Sequence, residues 1–96
     1  MTYAPKIVLR LPISDLDLLD FFVEECLRDG VSLIAIVGTG ASKIDDIIDE
    51  LVVGDGSDPG RYITTAFHED ATLEEVLEFA RMWEVDRGQA VQLVKP

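Results

Sequence analysis

The stretch VSLIAIV at residues 31–37 is apolar on both of its alternating faces, and no other run narrows the fold as much. A strand with one wet face alternates apolar and polar residues. A strand that is oily on both faces needs cover on each side, which is the environment of a parallel strand between two layers of helix. Parallel neighbours in turn need crossover connections of a dozen residues or more, most often helices and almost always right-handed.

The flanking sequence has room for such crossovers. From Lys6 to Leu11 the chain alternates Ile7, Leu9 and Leu11 with Val8 and Arg10, a strand that Pro12 stops. Ser14 with Asp17 resembles a capping box, and Gly30 stands where a left-handed residue would close a helix over residues 15–29. Along that segment Leu16, Leu19, Phe22, Val23, Cys26 and Leu27 gather on one arc, with Asp17, Asp20, Glu24 and Arg28 opposite. After Gly38, Thr39 and Gly40, Ser42 with Asp45 suggests a second capping box. Ile44, Ile47, Ile48, Leu51 and Val52 then trace a helical stripe that ends before Gly54.

Residues 54–60, GDGSDPG, are turn formers. Tyr62 to Phe67 reads as a third strand, and Gln89 to Val94 as a fourth. Between these two, Thr72 and Glu75 form the strongest capping box, ahead of a helix with Leu73, Val76, Leu77, Ala80 and Trp83 on one face. The reading is a single α/β domain over residues 1–96, βαβαβαβ, three layers around a four-stranded, mostly parallel sheet of the flavodoxin or Rossmann-like kind. Strand order 2-1-3-4 is the first choice and 3-2-1-4 the alternative.

Composition removes whole classes of function. Nineteen acidic residues against eight basic ones give a net charge of −11, which repels phosphate backbones and anionic membranes. Neither nucleic acid nor a membrane is expected as a partner. The single cysteine, Cys26, allows no intrachain disulfide and no cysteine metal cluster. Neither a signal-peptide pattern nor a spanning apolar run is present, and a cytoplasmic protein is the expectation.

In open parallel sheets ligands sit at the carboxyl ends of the strands. Gly38, Thr39, Gly40, Ser42 and Lys43 end the second strand there, and two glycines let backbone amides approach an anion at a helix N-terminus. The spacing is neither that of a P-loop nor a full GxGxxG fingerprint; a tight turn capped by Ser42 explains it as well. His68, beside Glu69 and Asp70, is the single histidine of the chain and a residue type suited to general base work, but no nucleophile and no second histidine accompany it. No catalytic residue, metal site or cofactor is therefore expected. Leu18 and Phe21 fall off the core arc of the first helix and are candidates for a homodimer or partner surface, and Met82 is displaced in the same way.

The run TTAFHEDATLEEVLEFA, residues 64–80, resembles a pattern found in a domain-of-unknown-function family of small bacterial proteins. The resemblance implies a bacterial source and brings no activity or functional residue with it. Two better-known families do not fit. A receiver domain needs acidic residues where this chain has Leu11 with Pro12 and Phe67 with His68, and a flavodoxin needs a phosphate loop where it has PISD. The expectation is a non-enzymatic acidic interaction module, with small-ligand or phosphate binding through loops 38–43 and 68–72 as the alternative.

Overall fold

The structure, a computed structural model, describes residues 3–13, 15–58, 60–83 and 89–95. Its elements are β1 (Lys6–Arg10), α1 (Leu18–Asp29), β2 (Leu33–Val37), α2 (Ala41–Val53), β3 (Thr64–His68), α3 (Leu73–Met82) and β4 (Val91–Val94). All three strand pairings are parallel. The sheet order is β3-β2-β1-β4, the 3-2-1-4 arrangement and not 2-1-3-4.

The strands themselves explain this correction. Every residue of β2 and all but the last of β1 is buried, whereas no residue of β3 or β4 is fully buried. Threonines at 64 and 65 and a half-exposed Phe67 suit an edge; an order that placed β3 inside the sheet would bury them.

Alternation along the strands divides the core in two. Ile7 and Leu9 of β1 and Ile34 and Ile36 of β2 face α1 and α2, meeting Leu19, Phe22, Val23, Cys26, Ile44, Ile48 and Val52. Val8, Leu33, Ala35 and Val37 face the other way, against Val76 and Ala80 of α3. The two helices on one side and one on the other follow from the order of crossovers.

Local signals had mixed outcomes. Gly30 closes α1 at φ 77°, and Val31 N–H reaches back to the Cys26 carbonyl at 3.0 Å. The Thr72–Glu75 capping box is fully formed. Helix α1, in contrast, starts at Leu18 and not at 15, so Leu16 lies outside it and is half exposed. Asp17 makes no capping bond, and Ser14 lies outside the described residues. The Ser42–Asp45 box is absent: Gly40 is the N-cap of α2, Ala41 already lies in the helix, and Asp45 is buried.

Lys6 joins the layers. Its side chain is fully buried, and Nζ donates to the Arg81 carbonyl at 3.2 Å, the Trp83 carbonyl at 2.8 Å and Gln89 Oε1 at 3.0 Å. An ammonium is thus held on the last carbonyls of α3, where the helix dipole is negative. Trp83 therefore ends the helix at its C-cap instead of extending the buried face. Lys6→Met keeps the volume but leaves these acceptors without their donor. It should cost about 1–3 kcal/mol of stability, read as a lower urea midpoint with unchanged slope.

Candidate functional site

Backbone pairing brings the two strand-end loops singled out in the sequence side by side. Gly38 N–H donates to the His68 carbonyl at 3.1 Å, extending the β2–β3 ladder. Gly38 has φ 129°, and a Cβ there would meet the Leu11 side chain at 3.0 Å, so a glycine is needed for the close approach.

The helix N-terminus they surround is already satisfied. Ala41 N–H donates to the Gly38 carbonyl, and Lys43 and Ile44 N–H both donate to the Gly40 carbonyl. Ser42 N–H donates to Glu69 Oε1 at 3.2 Å. A carboxylate of the chain itself thus stands where an external anion would approach. His68 turns away from Ser42 and Lys43: its ring packs edge-on against Phe79 of α3, centroids 4.8 Å apart, with Nε2 buried and unpaired. Thr39 and Lys43 are exposed.

Two concave surfaces flank α1. Between α1 and α2 lies an open groove of about 840 Å³. Ile47, Leu51 and Val53 supply its apolar part, and Asp20, Glu24, Asp49 and Glu50 supply carboxylates. Arg61 closes one end. Its guanidinium donates to the Val52 and Leu51 carbonyls at the end of α2, at 2.9 and 2.8 Å, and grips both Glu24 oxygens at 3.0 and 2.6 Å. The hydrogen bond from Arg61 holds the Glu24 carboxyl below its ordinary range.

On the other flank of α1, a smaller groove of about 200 Å³ is lined by Tyr3, Leu9, Leu18, Phe21, Phe22 and Val94, among others. Leu18 is 52% and Phe21 67% exposed. The two candidate interface residues thus share one apolar concavity beside β4. Met82, also exposed, lies on α3.

Sequence reasoning did not single out Arg61, Lys6 or Glu69 for these roles. Each acts through contacts between elements far apart or unlike in sequence and leaves no periodic signal. Among the described residues, no group of three His, Cys, Asp or Glu side chains is placed to hold a metal ion. Cys26 is buried, and burial pushes its thiol up to about 12.

Residues 7–94 match the model of a family described as a domain of unknown function, DUF7684. The chain belongs to this family. No curated protein and no solved structure matches it. The match runs from the second residue of β1 through β4 and contains the 64–80 stretch that carried the resemblance, so the DUF7684 unit takes in the α1–α2 groove, all of the smaller groove but Tyr3, and the strand-end loops.

One buried group of this DUF7684 chain bears on stability. Asp45 Oδ1 has no hydrogen-bond partner, and the nearby Thr65 hydroxyl donates to Asp49 at 2.7 Å. Burial raises the Asp45 carboxyl above its usual range; Thr65 partly opposes this, and Asp49 and Asp46 reinforce it. A raised carboxyl binds its proton more tightly in the folded state, so its contribution to stability is present at low pH. That contribution is lost as pH rises through the folded value. Asp45→Asn mimics the protonated form and should raise the urea midpoint at pH 7, with the gain vanishing near pH 3.

Proposed function

We infer that this chain is a small, non-enzymatic interaction module that holds a basic, amphipathic segment of a partner protein in the groove between α1 and α2. The observation that carries this reading is the lining of that groove: apolar Ile47, Leu51 and Val53 beside carboxylates of Asp20, Glu24, Asp49 and Glu50. An amphipathic helix would set its apolar side on the first group and its lysines or arginines against the second. The net charge of −11 works in the same direction at longer range by raising the encounter rate with a cationic partner. Ligation at loops 38–43 and 68–72 has less support, because the first-turn amides of α2 are engaged within the chain. A place in the bacterial cytoplasm accompanies this reading. The 3-2-1-4 order, identical to the first four positions of the doubly wound order 3-2-1-4-5-6, favours a Rossmann-like assignment.

The test uses a helical peptide with leucine at a three- and four-residue spacing and lysine elsewhere, titrated by calorimetry. Binding should weaken at least tenfold between 50 and 500 mM NaCl, as screening shortens the reach of the carboxylates. Asp20→Lys, Glu50→Lys and Val53→Asp lie on exposed positions and should each weaken it about three- to tenfold. Equal affinity across all four proteins would remove the groove from consideration.

The Leu18–Phe21 concavity supports a second reading, association with another copy of the chain. Light scattering should then give twice the chain mass, and Phe21→Asp should return it to one. A wild-type monomer at high micromolar concentration would end that reading.

A further inference from the structure

The strand order moves the crevice at which doubly wound sheets take their ligands. Helices α1 and α2 cross one face and α3 the other, so the crossovers change sides between β1 and β4. The carboxyl ends of those two neighbouring strands are therefore the switch point of this sheet. Neither strand-end loop considered above is built on that pair.

A concavity of about 270 Å³ occupies this position, lined by Arg10, Leu11, Pro12 and Lys95. Two of the four residues are cations, in a chain with more than twice as many acidic as basic residues. Among the other described cations, Lys6 and Arg61 sit on helix carbonyls and Arg28 and Arg81 on glutamates one turn away, while Lys43 stands alone and exposed in the first turn of α2. Among the described residues, neither Arg10 nor Lys95 has an ion-pair partner. Parallel pairing places Leu9 opposite Val94, so Arg10, the last residue of β1, and Lys95, the residue that follows β4, come next on neighbouring chains. By strand alternation both lie on the side of Val8 and Leu93, the α3 side.

From this convergence we propose that the β1–β4 switch point is an anion site that takes a phosphate group, free or as a small monoester. A guanidinium matches two phosphate oxygens at once, and an ammonium alongside adds a second charge toward a dianion. Leu11 and Pro12 give an apolar wall against which a small organic group of a monoester packs. The volume suits a group of this size better than a dinucleotide.

The experiment follows amide shifts of the labelled full chain during titration with inorganic phosphate and, in a second arm, with phenyl phosphate. Sodium chloride at matched ionic strength is the reference. Saturable shifts at Arg10, Leu11 and Lys95 with a millimolar midpoint are expected in the phosphate arms and not in chloride. Tighter binding of the monoester would assign the site to phosphate esters, and equal binding to phosphate itself. Arg10→Gln and Lys95→Gln should each raise the midpoint about tenfold, and Arg10→Lys about threefold through loss of the two-point contact. Both residues are exposed, so an unchanged thermal midpoint serves as the folding control. Shifts that match those in chloride, or that persist in the double glutamine variant, would overturn the proposal. Because the α1–α2 groove does not include these positions, the variants should bind the cationic peptide as wild type does, and the two ideas can fail separately.

Discussion

The contact on which the arrangement of the sheet depends is the buried ammonium of Lys6. It stands at the first residue of β1 and reaches the Arg81 and Trp83 carbonyls at the end of α3, together with Gln89 on the approach to β4. A buried cation without such acceptors would cost far more than the fold could offset. The end of α3 is therefore held beside the start of β1. The chain leaving α3 has only a few residues to travel before pairing, and Lys6 N–H meets the Ala90 carbonyl at 3.3 Å. Strand β4 accordingly lies next to β1 instead of extending the sheet beyond β3. The strand order, the side on which the crossovers reverse and the place of the switch point all follow.

A second consequence concerns where the charges are used. Two of the few cations are committed to helix C-termini, Lys6 on α3 and Arg61 on α2, where they satisfy carbonyls and complement the dipole. Arg61 also neutralises Glu24, but Asp20, Asp49 and Glu50 line the same groove without an ion pair among the described residues. The acidic character of the α1–α2 surface thus has a structural cause besides the net charge. The one cation lining it, Arg61, is shared between Glu24 and the carbonyls that end α2.

Legibility in the sequence followed the range of the interactions. Periodicity within one element was enough for VSLIAIV, for the stripe Ile44, Ile48, Val52 and for the face of Val76 and Ala80, because burial acts on every turn or alternate residue. Ser42–Asp45 and Thr72–Glu75 have the same spacing, yet only the second is a capping box. In the first, a glycine in the left-handed region takes the cap position and Asp45 faces β3 near Thr65, a choice made by tertiary packing. Strand order was beyond periodicity, since it is set between elements, as by Lys6 reaching the end of α3 more than seventy residues away. The part-buried threonines of β3 and its half-exposed Phe67 were the local hints of an edge. The candidate loops were correctly placed at strand ends, but Glu69, read as part of a histidine-centred cluster, serves instead as the anion on the Ser42 amide.

The apolar groove beside β4 has an origin in the same topology. Helices α1 and α2 share one face of a four-stranded sheet, and their crossovers lie over β1, β2 and β3. The fourth strand, added at the β1 edge, extends past the cover they give. Val94 on that face meets only the flank of α1, where Leu18, Phe21 and Phe22 provide partial shelter and Tyr3 packs edge-on against Phe22 at 5.5 Å. Side chains of this kind on the rim of a sheet bury apolar area that three helices cannot cover, so Phe21 does partial structural work while remaining largely exposed. Its substitution therefore acts on the edge of the core as well as on any partner. A variant that changes association without lowering the unfolding midpoint is the one that separates the two roles.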